Sequence, residues 1–196
     1  MIRRVVTSAT EQGTSLVAQD GEPPRTSHSK HVPGLAVSLV WATTPDAAVG
    51  SGDVSDPTPA TGSFVPSPGE TRVLTVSFPP DSVMAGPDFD PAAAQAEQLQ
   101  ILPGLAELFE ADDPGMHRTD SVDYCVVLDG HITLDLGDGK TAKLATGDVV
   151  VQNGTRHAWR NPGTAPARML FVLVGVPRTA HARDGQHTDN RPEEQS

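Results

Sequence analysis

The 196-residue chain has little cysteine, few aromatic side chains, no excess of basic charge and no long apolar run. Its single cysteine, Cys125, excludes an intramolecular disulfide framework and any metal site built from several thiolates. The 14 lysines and arginines face 25 aspartates and glutamates, and the formal net charge of −11 argues against nucleic acid or an anionic membrane as a partner. No segment approaches the roughly 18 apolar residues that a membrane-spanning helix needs. These absences predict a soluble, cytoplasmic protein.

Glycine and proline are abundant, at 18 residues each, beside 37% hydrophobic residues and 4% aromatics. This composition is typical of many short segments joined by turns, and it favours an all-β core over long helices. A chain of this length is expected to form one sizeable hydrophobic core. The composition therefore predicts a single all-β domain.

The first half of the chain contains short segments rich in valine, leucine or threonine. They predict strands at residues 4–7, 15–19, 35–43 and 72–78. Residues 51–69 hold four prolines and few large apolar groups, which predicts a loop or flap over the core that is not an element of it.

Two short helices are predicted before the second half. Asp90 and Pro91 precede an alanine- and glutamine-rich stretch. They predict the start of a helix there, because Asp caps free backbone amides and Pro suits the first helical position. A second helix is expected at residues 105–110, with Leu105, Leu108 and Phe109 as its buried stripe.

Residues 122–176 alternate apolar strands with tight turns at short, regular intervals, which indicates an antiparallel barrel or sandwich. At the start of this region, His117 is followed, at motif spacing, by Thr119, Asp123 and Gly130. The spacing resembles the first motif of the cupin superfamily of small β-barrels, in which a His, a second His, a Glu and a Gly occupy the four places. Thr119 stands in the place of the second His, and Asp123 in the place of the Glu.

A second group of residues resembles the second cupin motif, which contains a Gly, a turn of Pro and Gly type, a His and an Asn. The matching residues are Gly147, the turn Asn153–Gly154, His157 and Asn161. On these two motifs the chain is similar to small single-domain bacterial cupins of the conserved-barrel type. The resemblance also implies that Asn161 stabilises the turn before Pro162.

The resemblance implies a cupin-type antiparallel β-barrel, or jelly roll, with one or two short helices. The barrel is expected to span residues 1–177, with N-terminal strands, the Pro-rich loop and a helix in 1–114 and the motif core in 115–177. Residues 178–196 are polar and lack apolar periodicity, so we expect a disordered tail there. A homodimer is expected because family members commonly pair through N-terminal strands, and because an edge strand otherwise stays exposed.

Strand alternation supports an internal site. If Asp123 points into the barrel, then Cys125 and Val127 also point inward, whereas Tyr124 and Val126 point outward. The interior of the strand therefore carries one carboxyl group and one thiol.

By the same rule His157 and Trp159 share a face, and so do His117 and Thr119 if their segment is extended. Pairing of these strands would bring His117, Asp123 and His157 together at the mouth of the barrel. Two imidazoles and one carboxylate form the facial triad of non-haem iron enzymes, and the same ligands suit other divalent metals. We therefore expect Fe²⁺ or Zn²⁺, with Mn²⁺ and Ni²⁺ as further alternatives.

Asp123 and Thr119 are the candidate catalytic residues. Thr119 can orient a metal-bound water or a substrate oxygen, and Asp123, if it is not a ligand, can move a proton. Two plainer roles stay open, because Asp123 at a strand start can cap a turn and Thr119 is an ordinary β-former.

The candidate substrate pocket contains Trp159, Trp41, Arg118 and Cys125. The tryptophans are equally suited to a pocket wall or to the core. Cys125 fits a small apolar barrel residue better than a nucleophile, because the sequence suggests no neighbouring base. Arginines 118, 156 and 160 can bind a substrate carboxylate, although alternation places Arg160 on the surface. His131 is expected to be exposed.

The leading hypothesis is a metal-dependent lyase or isomerase, such as a dehydratase, decarboxylase or cyclase, acting on a small organic acid or a polyketide-like intermediate. One alternative is an Fe(II) dioxygenase that uses the same ligands. The other is a non-catalytic, ligand-binding cupin, which the replacement of the second motif His by Thr119 favours. Fold alone does not decide among them.

Overall fold

The strands of this protein pair in antiparallel fashion into three sheets. The structure is a computed structural model and describes residues 2–50 and 54–179. Its strands are β1 (Arg4–Ala9), β2 (Ser15–Gly21), β3 (Arg25–His28), β4 (Ala36–Thr43), β5 (Thr71–Phe78), β6 (Ser121–Asp129), β7 (His131–Asp135), β8 (Thr141–Ala145), β9 (Val149–Gln152), β10 (Ala158–Arg160) and β11 (Ala167–Gly175). Helix α1 spans Pro91–Ile101, and single 3-10 turns lie at Thr58–Ala60, Asp81–Ala85 and Ala106–Leu108.

The second half of the chain alternates between two of the sheets. Strands β6, β9 and β11 lie in a six-stranded sheet of order β3-β4-β5-β11-β6-β9, whereas β7, β8 and β10 form a three-stranded sheet of order β10-β7-β8. Strands that cross repeatedly between two antiparallel sheets form a jelly roll, with the core between the inner faces. The predicted all-β, cupin-type antiparallel barrel with short helices is therefore confirmed.

The four upstream strands predicted from the sequence are present as β1, β2, β4 and β5. Strand β3 was not predicted, because its residues Arg25–His28 carry no apolar side chain. β3 exists because its backbone pairs with β4 at the edge of the six-stranded sheet, and an edge strand needs no buried face of its own.

The Pro-rich segment contributes to the core, which corrects the prediction for residues 51–69. Phe64 is 2% exposed and packs in the main hydrophobic cluster. Its amide donates to Pro103 O at 2.8 Å, and the Arg25 guanidinium lies over its ring at 4.8 Å. A single large side chain is enough to anchor a loop. The average composition of the segment gave no sign that Phe64 is buried. Residues 51–53 lie outside the described residues.

Helix α1 begins as predicted, since the Asp90 side chain accepts from the amides of Ala92 and Ala93 at 3.0 Å each. The second predicted helix is only a 3-10 turn. Leu105 and Phe109 pack against the core, but Leu108 is 40% exposed, so its predicted burial is wrong. A 3-10 turn repeats every three residues and rotates Leu108 away from the face that an α-helix would bury.

No helix among the described residues is long and apolar enough to cross a membrane.

The turn between β6 and β7 requires glycine. Gly130 has a φ of 82°, and a Cβ there would lie 3.0 Å from Pro166 O and 3.2 Å from the Cα of Ala167. A larger residue would push β11 away from the turn at the point where the chain leaves one sheet for the other. The motif glycine therefore allows the tight turn that joins the two sheets.

Candidate functional site

His117 and His157 form the centre of the site. Their backbones make an isolated antiparallel bridge, in which each amide donates to the carbonyl of the other, at 2.9 and 3.0 Å. The two ring centroids lie 4.4 Å apart. The segments of the two motifs therefore pair directly and bring two imidazoles into contact.

Each imidazole is oriented by a backbone carbonyl two residues earlier. His117 Nδ1 lies 2.9 Å from Gly115 O, and His157 Nδ1 lies 2.9 Å from Thr155 O. A carbonyl oxygen only accepts hydrogen bonds, so Nδ1 carries the proton in both rings and Nε2 keeps its lone pair. The site thus presents two Nε2 acceptors of fixed orientation.

Burial keeps both rings uncharged. It lowers the pKa of His157 to about 4, with a smaller lowering from the neighbouring His117. Burial also lowers the pKa of His117, whereas its hydrogen bond to Gly115 O and the nearby Glu110 carboxylate act in the opposite direction. Both imidazoles are therefore neutral at pH 7, and the Glu110 carboxylate opposes the lowering at His117.

Aromatic side chains pack against both histidine rings. The ring of Phe109 lies 5.3 Å from that of His117, and Trp159 lies 5.9 Å from His157 and 5.6 Å from Phe171, all at steep interplanar angles. The predicted shared face of His157 and Trp159 is confirmed by this contact. Phe109 was expected only as a core residue, and it reaches the site because the 3-10 turn before it ends next to His117.

Asp123 lies among hydroxyl groups. It is 4% exposed, and Ser121 Oγ donates to its Oδ1 at 2.6 Å and lies 2.9 Å from Thr119 Oγ1. Burial raises the pKa of Asp123 to about 6, although the hydroxyls of Ser121 and Thr119 act to lower it. The predicted alternation along β6 is present, since Asp123, Cys125 and Val127 are buried.

The donor set does not fit a three-ligand metal site. The described residues contain no group of three or more His, Cys, Asp and Glu side chains placed to hold one metal ion. The structure brings His117 and His157 together, whereas the Asp123 carboxyl is engaged by Ser121. Of the three predicted ligands, the two imidazoles are in contact and the carboxyl group is bonded to Ser121. Metal binding stays a prediction.

The other three predicted pocket residues lie in different surroundings. Trp41 is on β4, with the Arg4 guanidinium 5.6 Å from its ring centroid. Cys125 is 1% exposed within the hydrophobic core, where burial raises the pKa of its thiol. Arg118 is exposed. Cys125 therefore has no surface to offer a ligand, as expected of an apolar barrel residue.

The two arginines near His157 are engaged by acidic residues. Arg156 binds Glu110 through two hydrogen bonds of 2.8 and 2.6 Å, and Arg160 binds Asp113 at 2.6 Å. These pairs hold the segment 110–116 that leads into His117. Their guanidinium groups position the chain, and a substrate carboxylate would have to displace an existing partner.

Sequence reasoning missed Ser121 and Gln152. Ser121 connects Thr119 to Asp123, and Gln152 lies directly opposite Asp123 across the β6–β9 pair. The signal for Gln152 was available, because a polar side chain ends the valine-rich strand β9 on the same face as the partly buried Val150.

Residues 107–173, which include both histidines, match the family model of the cupin domain. This part of the chain is a cupin domain. A cupin-family protein of Methanocaldococcus jannaschii with a double-stranded β-helix fold superposes with a TM-score of 0.34 at 12% identity, over 54% of this chain and 70% of that one.

The curated relatives that match part of this chain are fungal, whereas the motifs suggested bacterial cupins. Phomopsin biosynthesis cluster protein D of Diaporthe leptostromiformis is 59% identical over 87 residues, which are 44% of this chain and 42% of that protein. A cupin-domain-containing oxidoreductase of Hypocrea virens is 42% identical over 62 residues, covering 30% of this chain and 32% of that protein. The chain thus spans less than half the length of these relatives.

Proposed function

We propose that this cupin is a small-molecule enzyme of secondary metabolism, a lyase or isomerase that moves a proton on a small organic acid or a polyketide-like carbonyl compound. The contact between His117 and His157 carries the proposal, because two neutral imidazoles with free Nε2 atoms are suited to proton transfer. The biosynthesis-cluster names of relatives in Diaporthe leptostromiformis and Aspergillus oryzae support the metabolic setting.

In this mechanism His117 is the general base. Its Nε2 takes a proton from the carbon next to the substrate carbonyl, and the bonding electrons move toward the carbonyl oxygen. The resulting imidazolium returns the proton to another carbon in an isomerase, or to the leaving group in a lyase. His157, whose pKa burial lowers to about 4, stays neutral and accepts a hydrogen bond from the substrate.

Deuterium exchange tests this proposal without knowledge of the natural substrate. Cyclohexanone, phenylacetone and levulinate are incubated in D₂O at pH 7 with EDTA-treated protein, and loss of the α-proton signals is followed by NMR. We expect the wild type to accelerate exchange and H117Q to lose about 100-fold or more of the acceleration, since general-base catalysis contributes that much. H131Q is the matched control, because His131 is exposed on β7.

Equal exchange rates for H117Q and the wild type would overturn the role of His117. Absence of exchange with every probe, together with saturable probe binding, would favour the non-catalytic ligand-binding cupin. The replacement of the second motif His by Thr119 already points in that direction.

An oxidoreductase function is the second candidate, and the name of the Hypocrea virens relative favours it. It would need a redox-active ion such as Fe²⁺ held by the two imidazoles and non-protein ligands, with dioxygen as electron acceptor. Elemental analysis of untagged protein, combined with substrate-dependent oxygen uptake, tests this candidate. Stoichiometric iron lost in H157N but retained in H131Q would support it, whereas zinc, which is not redox-active, would count against it. No stoichiometric metal after reconstitution would count against it.

A further inference from the structure

Gln152 ends strand β9 with a buried amide that is only half satisfied. The residue is 3% exposed, and its Oε1 accepts a hydrogen bond from Thr155 Oγ1. Its Nε2 has no hydrogen-bond partner, and among the buried side-chain nitrogens and oxygens of the described residues it stands alone in this respect. Buried amide donors are normally paired, because an unpaired one loses the hydrogen bonds that it makes to water.

The register places this donor inside the candidate site. Gln152 is the direct cross-strand neighbour of Asp123, and both side chains are buried. Opposed residues of an antiparallel pair have Cβ atoms roughly 5 Å apart. The amide of Gln152 therefore lies beside the carboxyl group of Asp123.

Thr155 connects Gln152 to the histidine pair. Its hydroxyl donates to Gln152 Oε1, while its carbonyl oxygen is 2.9 Å from His157 Nδ1. One residue thus orients both the amide and the imidazole. Because the oxygen end of the amide is held in this way, the Nε2 end is held pointing away from Thr155.

We propose that Gln152 Nε2 is a binding donor for the carbonyl oxygen of a small-molecule ligand in the barrel. No oxygen of the described residues lies within hydrogen-bond distance and geometry of this nitrogen, so its acceptor has to come from a bound molecule. The adjacent Asp123 carboxyl disfavours a second negative charge, so a neutral ketone, aldehyde or amide oxygen suits the position better than a carboxylate. The assignment deepens the proposed function, on which it rests for the identity of this ligand as substrate.

Two probes of the same shape test the assignment. Acetophenone carries the carbonyl oxygen and ethylbenzene lacks it, and their affinities are measured by NMR titration of ¹⁵N-labelled protein. We expect saturable acetophenone binding that shifts the side-chain amide signal of Gln152. In Q152M the acetophenone affinity falls about tenfold, the value of one hydrogen bond, and the ethylbenzene affinity is unchanged. The control Q95M changes an exposed glutamine of α1 and leaves both affinities as they are.

Variants of Thr155 separate binding from structure. T155V removes the hydroxyl that orients the amide and keeps the carbonyl that holds His157, so acetophenone affinity falls, and T155S restores it. The unfolding temperature of ligand-free Q152M is expected to equal or exceed that of the wild type, because an unpaired donor is replaced by an apolar group of similar size.

Any of three results would overturn the assignment. These are no saturable acetophenone binding to the wild type, equal acetophenone affinity in Q152M, or a lower unfolding temperature of Q152M that accounts for its weaker binding. A crystal structure in saturating acetophenone with only a water on Nε2 would have the same force. Carbonyl binding through Gln152 without deuterium exchange would contradict the proposed function and would still support Gln152 as a binding donor.

Discussion

Asp123 is an acidic side chain held inside a barrel by hydroxyl groups. Burial raises its pKa to about 6 from an ordinary value of 3.8, and no cation is among the causes of the shift. Between these two values the folded protein binds a proton that the unfolded chain has released. The stability that Asp123 contributes is therefore fully present below pH 3.8 and is lost as the pH rises through 6.

The variant D123N removes this titration. Relative to the wild type, its free energy of unfolding should increase by about 3 kcal/mol between pH 3.5 and pH 7.5, because the wild type then carries a buried charge. Urea denaturation at the two pH values measures the difference. D112N, at an exposed position, serves as the control. If the free energies of unfolding of D123N and the wild type differ by the same amount at both pH values, the environment described for this carboxyl group is contradicted.

At the level of elements, helix α1 is fixed to the barrel by one carboxylate. Glu97 accepts from Ser29 Oγ at 2.5 Å and from the amides of Lys30 and His31 at 2.8 and 3.0 Å. Burial alone would raise the pKa of Glu97, but these hydrogen bonds outweigh it and lower the pKa to about 2. The associated stability is present above pH 4.5 and is lost as the pH falls toward 2.

We expect E97Q to lower the free energy of unfolding by about 1–2 kcal/mol at pH 6, the scale of hydrogen bonds to a charged group at a partly exposed position. The difference from the wild type should shrink as the pH approaches 2, since the wild-type carboxylate is then protonated. Denaturation at pH 6 and pH 2.5, with hydrogen exchange of the α1 amides, gives both readouts. E107Q, on the exposed side of the 3-10 turn, should match the wild type. A constant E97Q difference across this range would argue against the carboxylate contacts.

The elements differ in how well local pattern predicts them. Helix α1 was predictable because Asp90 and Pro91 start it through contacts within one turn of chain. Strand β3 was not, because its pairing with β4 decides it and its own residues carry no apolar signal. The burial of Phe64 was also not predictable from local sequence, since Phe64 contacts Pro103 and Arg25, both distant in sequence.

At the scale of the whole molecule, strands β1 and β2 form a sheet of their own that leaves apolar side chains exposed. These are Val5, Leu16 and Val17, the last of which is 58% exposed. An exposed apolar hairpin at a sheet edge is suited to pairing between two copies of a chain. This arrangement is consistent with the homodimer expected from the family resemblance.

We therefore expect a dimer at micromolar concentration and a shift toward monomer in V17E, because the charge would be buried at the interface. Light scattering coupled to size-exclusion chromatography measures the mass. V49E adds the same charge in a fully exposed loop and should not change it. A monomeric wild type, or an equal effect of both variants, would contradict pairing through this hairpin.

Local periodicity was enough to establish the class of fold and the inward face of β6, since alternation and turn residues act between neighbours in the chain. The resemblance to the two cupin motifs singled out His117 and His157, and the barrel closes so that they meet. The engagement of Asp123 by Ser121, the pairing of Arg156 with Glu110 and the free amide of Gln152 were decided only by tertiary structure. Which polar side chains find partners inside a barrel depends on distances and angles set by the packing of all its strands, and no local pattern encodes them.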